Sequence, residues 1–202
     1  MTLPLKPPIK PQLALSRKEL PEGKEWAYEP KYDGFRALAF VDGGELYLQS
    51  RGAKPLLRYF PELVFPKGRY VLDGELVILD DDGREVFDSL QARLHPAESR
   101  VKMLAEETPA IFRAFDLLAE GKTKLMAKPL IERRAALVKL IAAAPGRKKS
   151  ASGSVELTPL TKSAKTADIL AKAAVIAQTL NQVINDVRKG RNIGDRAALP
   201  QQ

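Results

Sequence analysis

The sequence predicts an α+β fold built on antiparallel sheet with packed helices. Three observations carry that expectation. Strand-like runs dominate the first part of the chain. Two of them end in hairpin signals, Asp42-Gly43-Gly44 and Asp80-Asp81-Asp82-Gly83. Helical runs stand between the later strands and after them. Strands grouped ahead of helices and joined by tight turns favour antiparallel pairing; regular strand–helix alternation would favour a parallel sheet.

The elements follow in order. Residues 1–24 are proline-rich and weakly patterned, which predicts an extended lead-in. "EWAYE" (25–29) and "FRALAFVDGGELYLQS" (35–50) read as strands, the second run folding back at its two glycines, which supply the positive φ a hairpin turn needs. "PLLRYFPEL" (55–63) reads as a short helix or turn. "RYVLDGELVIL" (69–79) is an apolar, β-branched strand around a polar centre. "SLQARL" (89–94) and "AESRVKMLAEE" (97–107) read as short helices, and "AIFRAFDLL" (110–118) as another strand. "PLIERRAALVKLIAAA" (129–144) has apolar residues at helical spacing and Pro129 suited to a first turn. "PGRKKSASGS" (145–154) is a basic linker or loop, and "VELTPL" (155–160) a last strand. From 166 to 190 the pattern is helical, with Ile169, Ala173, Ile176, Leu180, Ile184 and Val187 on one face, Thr166 as cap and Gly190 as stop. No internal repeat occurs.

The totals narrow the class. The 202 residues allow one domain with a sizeable core, and 45% hydrophobic content is ordinary for a globular chain. The absence of cysteine excludes disulfides, thiolate metal sites and a cysteine nucleophile. No apolar run has the length of a membrane span or the character of a signal peptide, so the expectation is a soluble cytoplasmic protein with no membrane partner. The net charge of +8 suits a polyanionic partner, and most of it lies late in the chain: residues 146–202 hold ten Lys/Arg against four Asp/Glu.

Several chemistries are excluded by motif. There is no P-loop, no G-x-G-x-x-G and no G-x-S-x-G elbow. The single histidine, His95, cannot build an imidazole cage and reads as a surface or helix-terminal residue.

"YEPKYDGFRA" (28–37) stands out instead. It crowds Lys31, Asp33, Gly34 and Arg36 into six residues, at the entry to a strand. A solvated turn would look like this. So would a nucleophile beside a phosphate clamp. A lysine amine titrates near 10.4 in water, so as a nucleophile it needs neighbouring cations, metal or desolvation to free its lone pair. Arg51 follows a strand. Glu75 sits inside an otherwise apolar strand, where a carboxylate is expensive unless a cation, sugar hydroxyl or metal uses it. Phe112 reads as core. Phe115 could offer a face to a flat base.

Taken together these segments resemble the covalent nucleotidyltransferase superfamily of DNA ligases, RNA ligases and mRNA capping enzymes. Lys31-Tyr32-Asp33-Gly34-Phe35-Arg36 matches its K-x-D-G-x-R signature, Ser50-Arg51-x-x-Lys54 follows, Asp73-Gly74-Glu75 matches the D-G-E strand and Phe115-Asp116-Leu117 the F-D-x-L strand. "LPLKPPIKPQLA" and "VFDSLQARLHPAESRVKMLAEETPAIFRAFDLL" narrow the resemblance, over residues 3–172, to the small bacterial ATP-dependent DNA ligases of end-joining repair.

The resemblance implies an ATP-grasp-like nucleotidyltransferase (ligase adenylation) domain. Lys31 would attack the α-phosphorus of ATP and carry AMP, which then passes to the 5′-phosphate of nicked double-stranded DNA. Asp33 would support Lys31 or the sealing step. Glu29 would read the adenine and Phe115 stack on it. Arg36 and Arg51 would contact the phosphate and ribose side. Glu75 would hold the ribose or a metal water, with Mg²⁺ or Mn²⁺ offsetting phosphate charge. Implied partners are nicked DNA and DNA end-joining proteins; the implied location is the bacterial cytoplasm, at the nucleoid.

Two family elements are not found after the long helix, a strand of E-G-x-V-x-K type and a K-x-K strand; "AEGKTK" (119–124) directly follows the F-D-x-L strand and is a different element. The sequence therefore predicts three regions: a lead-in over 1–24, a partial adenylation domain over 25–172, and a divergent helical basic tail over 173–202. The expected domain is incomplete at its C-terminus and has no OB-fold domain, as in a truncated ligase of impaired activity. Two alternatives stay open on the residues: a catalytically dead remnant that binds ATP or DNA, and an RNA ligase or guanylyltransferase.

Overall fold

The computed structural model describes residues 1–17, 19–143 and 153–170. The chain divides into two compact units. The first holds Met1–Ser16 and, among the described residues, those of Tyr32–Thr158; the second holds those of Arg17–Lys31 and from Pro159 to residue 170.

The first unit is a mixed α+β structure on one mostly antiparallel sheet. Its strands are β1 (Phe35–Gly43), β2 (Glu45–Ser50), β3 (Gly68–Ile78), β4 (Ala110–Glu120), β5 (Thr123–Lys124) and β6 (Val155–Leu157). The order is β2-β1-β3-β4-β5, and β6 joins β4 in parallel over Phe112–Ala114. The β1–β2 hairpin turns at Gly43, φ +69°, as its glycines predict. The Asp80–Gly83 turn closes with Leu79 bridged to Glu85, Gly83 at φ +78°, and the Asp80 carboxylate accepting the backbone N–H groups of Asp82 and Arg84. Gly121 and Lys122 form the turn from β4 into β5, so "AEGKTK" is a hairpin. The helices are α1 (Phe87–Arg93), α2 (Glu98–Glu107) and α3 (Leu130–Ala142), with a 3₁₀ turn at Leu57–Tyr59.

Side chains alternate across the sheet and build two cores. Ala37, Ala39 and Val41 of β1 join the larger one, with Leu72, Leu76, Phe112, Leu90, Leu137 and Ile141. Leu38 and Phe40 point the other way and meet Leu3, Leu5, Val71 and Ala119. The proline-rich start of the chain is thus irregular but anchored: Leu3 and Leu5 are buried, and the buried Gln49 amide exchanges two hydrogen bonds with the Ile9 backbone. Each fully buried Leu or Phe contributes about 1.5–3 kcal/mol. Phe112 is core, as its sequence context predicts.

Three local expectations are corrected. "EWAYE" is no strand: of these five residues only Tyr28 pairs among the described residues, in an antiparallel bridge with Thr161. Pro129 is the residue before α3 and not in its first turn. The helix at 164–170 is capped by Ser163, whose Oγ accepts from the Thr166 N–H, and not by Thr166; an N-cap must precede the first turn, and Thr166 lies inside it. The rest of that predicted helical face, and most of the 145–154 loop, lie outside the described residues.

Candidate active site

Two one-residue bulges on β4 create the site. Asp73 of β3 pairs with Asp116 while Gly74 pairs with Ala114, which leaves Phe115 extra; Val71 pairs with Ala119 while Leu72 pairs with Leu117, which leaves Leu118 extra. A regular strand would point Phe115 and Asp116 to opposite faces. The bulge turns both to the face away from the larger core, between the buried Ala114 and Leu117.

Arg36 meets them there. It lies on β1 opposite Glu75 of β3, and Leu38, two residues on, lies opposite Asp73. Arg36 grips Asp73 by two bonds, Nε to Oδ1 at 2.6 Å and Nη2 to Oδ2 at 2.8 Å, and its Cζ stands 4.5 Å from the centroid of the Phe115 ring. Burial works to lower the Arg36 pKa; the hydrogen bonds and charge of Asp73, with Glu75 and Asp116, outweigh it and hold the guanidinium above its ordinary value. Burial pushes the Asp73 carboxyl up, and Arg36 offsets this only in part.

The bulge itself is braced from the β4 edge. β6 covers that edge at 112–114 and β5 at 119–120, so the backbone between them has no strand partner. Two arginines of α3 fill the gap. Arg133 is bidentate to Asp116, at 2.8 and 2.9 Å. The buried Arg134 donates to the carbonyls of Phe115 and Thr158.

The loop entering β1 is pinned at three successive residues. The Tyr32 ring lies 5.8 Å from the Arg113 Cζ. The Asp33 N–H donates to Glu85 at 2.7 Å. Gly34 presses on β3 so closely that a Cβ there would lie 2.1 Å from the Leu76 carbonyl oxygen, which is why glycine stands in this position.

Beside this face runs an open groove of about 700 Å³ whose lining includes Gly34, Arg36, Arg51, Lys54, Arg58 and Tyr59. Arg51 follows β2 directly, is exposed, and its backbone N–H donates to the Arg36 carbonyl at 3.2 Å.

The structure thus brings Arg36, Glu75 and Phe115 onto one face, with Arg51 and the Asp33 backbone close by in the same unit. Lys31 and Glu29 are exposed and belong to the second unit; Lys31 is its last residue before Tyr32. Among the described residues no group of three or more His, Cys, Asp or Glu could hold a metal ion. A single carboxylate such as Glu75 nevertheless fits Mg²⁺, which is commonly bound through one or two carboxylates, substrate phosphates and water.

Sequence reasoning named Asp116 only as a motif residue and missed the bracing residues Arg133, Arg134, Arg113 and Glu156. One signal was present: Arg134 falls at helical spacing with Leu137 and Ile141, on the face that α3 buries.

An antiparallel sheet that sets the D-G-E and F-D-x-L strands side by side, with K-x-D-G-x-R running into their neighbour, defines the adenylation domain of a nucleotidyltransferase. The chain belongs to the ATP-dependent DNA ligase domain family, whose model matches residues 11–185. It is 48% identical over 172 residues to DNA ligase C of Mycobacterium tuberculosis and 47% identical over 172 residues to DNA ligase C2 of Mycolicibacterium smegmatis, covering 83% of this chain and 46% of each relative. The chain therefore spans about half the length of these relatives. In fold it is similar to mycobacterial DNA ligase D complexed with ATP and MES, with a TM-score of 0.55 at 24% identity, over 73% of this chain and 44% of the other. No helix among the described residues is long and apolar enough to cross a membrane.

Proposed function

We propose that this chain performs the first step of DNA ligation, forming lysyl-AMP on Lys31. The observation that carries the reading is the bulge that turns Phe115 and Asp116 to the face that holds Arg36 and the D-G-E carboxylates. The neutral Lys31 Nζ forms a bond to the α-phosphorus of ATP. The bond from that phosphorus to the bridging oxygen breaks, pyrophosphate leaves, and the amine proton goes to solvent. Phe115 stacks on the adenine and Glu29 reads its edge. Arg36 keeps its orientation through Asp73 and offers Nη1 to a nucleotide oxygen. Arg51 contacts the phosphates, Glu75 holds the ribose or a water of Mg²⁺ or Mn²⁺, and Asp33 supports Lys31. Fixed donors aimed at developing phosphate charge are the usual source of rate in such transfers.

The AMP then passes to the 5′-phosphate of a DNA nick, and the 3′-hydroxyl displaces it. The cationic groove of Arg51, Lys54 and Arg58 suits the duplex backbone. The sequence carries four of the family's motifs and not the E-G-x-V-x-K or K-x-K strand after α3, so we infer that the activity of this chain is impaired. Cellular partners in this reading are nicked DNA and end-joining proteins, in the bacterial cytoplasm at the nucleoid. The 1–24, 25–172 and 173–202 regions form lead-in, partial adenylation domain and basic tail.

Incubation with α-labelled ATP and Mg²⁺ tests it. Wild type should carry label that survives denaturation, and Lys31→Ala should not. A folded wild type that takes no label would leave nucleotide or DNA binding as the function. Label from GTP in preference to ATP would point to a guanylyltransferase.

A further inference from the structure

Four charged residues of alternating sign stand in one row across the sheet. Arg36 of β1 is opposite Glu75 of β3, Glu75 is opposite Arg113 of β4, and Arg113 is opposite Glu156 of β6. Cross-strand partners share a face and lie close enough to interact. The two arginines of the row are built alike. Arg36 is paired with a carboxylate and lies against Phe115; Arg113 is paired with Glu156 and lies against Tyr32. The second pair is itself fixed, because the Ser154 hydroxyl donates to the other Glu156 carboxylate oxygen at 3.1 Å. Both side chains are mostly shielded, 19% and 31% exposed, so the pair is less screened than a surface one.

Tyr32 is joined to Lys31 by one peptide bond. Of the two residues after it, Asp33 is held by Glu85 and Gly34 packs closely against β3 at Leu76. Arg113 in turn lies against the loop residue next to Lys31. We propose that Arg113 is a positioning residue for adenylyl transfer, with Glu156 as its anchor: it fixes the ring of Tyr32, the residue bonded to Lys31. This rests on the reading of Lys31 as the acceptor. A planar guanidinium can accept an ion pair at its edge while stacking on a ring; an ammonium reproduces the charge but not the plane.

The test is single-turnover transfer of label from α-labelled ATP to the full 202-residue chain. Wild type is compared with Arg113→Met, Arg113→Lys, Glu156→Gln, Tyr32→Ala and the Arg113→Met/Tyr32→Ala double variant, with melting temperatures measured alongside. Misplacing a reacting group lowers the rate at saturation, so Arg113→Met should slow transfer about tenfold to a hundredfold. Half-saturating ATP should stay within about threefold of wild type, because nucleotide binding is not what is lost. Arg113→Lys should recover part of the rate, Glu156→Gln should show a smaller loss of the same kind, and the double variant should be no slower than the worse single one. Unchanged rates at saturating ATP, an effect confined to half-saturating ATP, or additive losses with Tyr32→Ala would overturn the proposal. Should Arg113→Met fail to fold, Arg113→Lys and Glu156→Gln decide by the same criteria. Absence of label on the wild type would overturn the Lys31 reading and this one with it; a labelled wild type with unaffected variants would overturn this one alone.

Discussion

Arg36 lies over the Phe115 ring, 4.5 Å from its centroid, while Asp73 holds the same guanidinium by two bonds. The aromatic face and the cation are thus placed by one another, and a nucleotide base stacking on Phe115 would join an existing pair. Stacking of a base on an aromatic side chain is worth about 1–3 kcal/mol. Phe115→Ala should therefore raise half-saturating ATP in the labelling reaction by about fivefold to a hundredfold, and Phe115→Trp should restore most of it. Equal labelling curves for wild type and Phe115→Ala would remove Phe115 from the nucleotide site.

Asp73 and Asp42 should respond to pH in opposite directions. The Asp42 carboxyl is held low by the Thr2 backbone N–H and by Arg69, so its contribution is present above its unfolded value of about 4 and is lost as pH falls through its folded value. Asp73 is raised by burial, so its contribution is fullest below that unfolded value and is lost as pH rises through its folded one. In melting curves the margin of wild type over Asp42→Asn should shrink below pH about 4. The margin over Asp73→Asn should be widest in acid and narrow on raising the pH. Parallel pH curves for the two variants would contradict the assignment.

Glycine is required at position 34 by space and not by backbone angle. A Cβ would meet the Leu76 carbonyl oxygen at 2.1 Å and the Glu75 Cγ at 2.8 Å, whereas at Gly44 it would meet nothing within 4 Å. Gly34→Ala should lose about 1–3 kcal/mol in chemical denaturation as β1 and β3 are forced apart. Gly44→Ala should stay within about 0.5 kcal/mol of wild type. Equal stabilities for the pair would mean that the loop relaxes away from β3.

The groove cations should act as phosphate ligands without reading sequence. If Lys54 and Arg58 each neutralise one phosphate, removing either lowers the slope of log K against log salt by about 0.9 for duplex DNA. Titrations of nicked duplex against Lys54→Ala and Arg58→Ala at several salt concentrations measure this. An unchanged slope with weaker binding would assign the loss to folding of the 3₁₀ turn that carries Arg58.

Much of this site was legible in the sequence, because its residues interrupt patterns. Glu75 is a charge in an apolar strand, and Gly34 and Gly74 stand where β3 is approached by a neighbouring strand or ring. The apolar run of Ala37, Leu38, Ala39 and Phe40 read as strand, and the structure buries it on both faces. What was not legible has physical reasons. "EWAYE" has strand composition, but only Tyr28 pairs, in an isolated bridge to Thr161, and pairing is a property of distant residues. Arg93, in the run read as a short helix, is fully buried against Glu62, an ion pair between positions 31 residues apart that no local pattern marks. The bulges at Phe115 and Leu118 leave no mark in β4 itself, since they are set by which β3 residues oppose them.

Those two bulges make the stretch from Phe115 to Leu118 two residues longer than the β3 segment it faces. Each inserts one residue without a β3 partner, and beyond them Glu120 still faces Tyr70. Losing either extra residue would straighten one bulge and keep every pairing beyond it, so the sheet would survive and one side chain would be gone from the face that carries Arg36. In a family alignment, single-residue length differences here should be tolerated by the sheet, whereas the same deletion inside β3 would swap inside for outside along the rest of that strand.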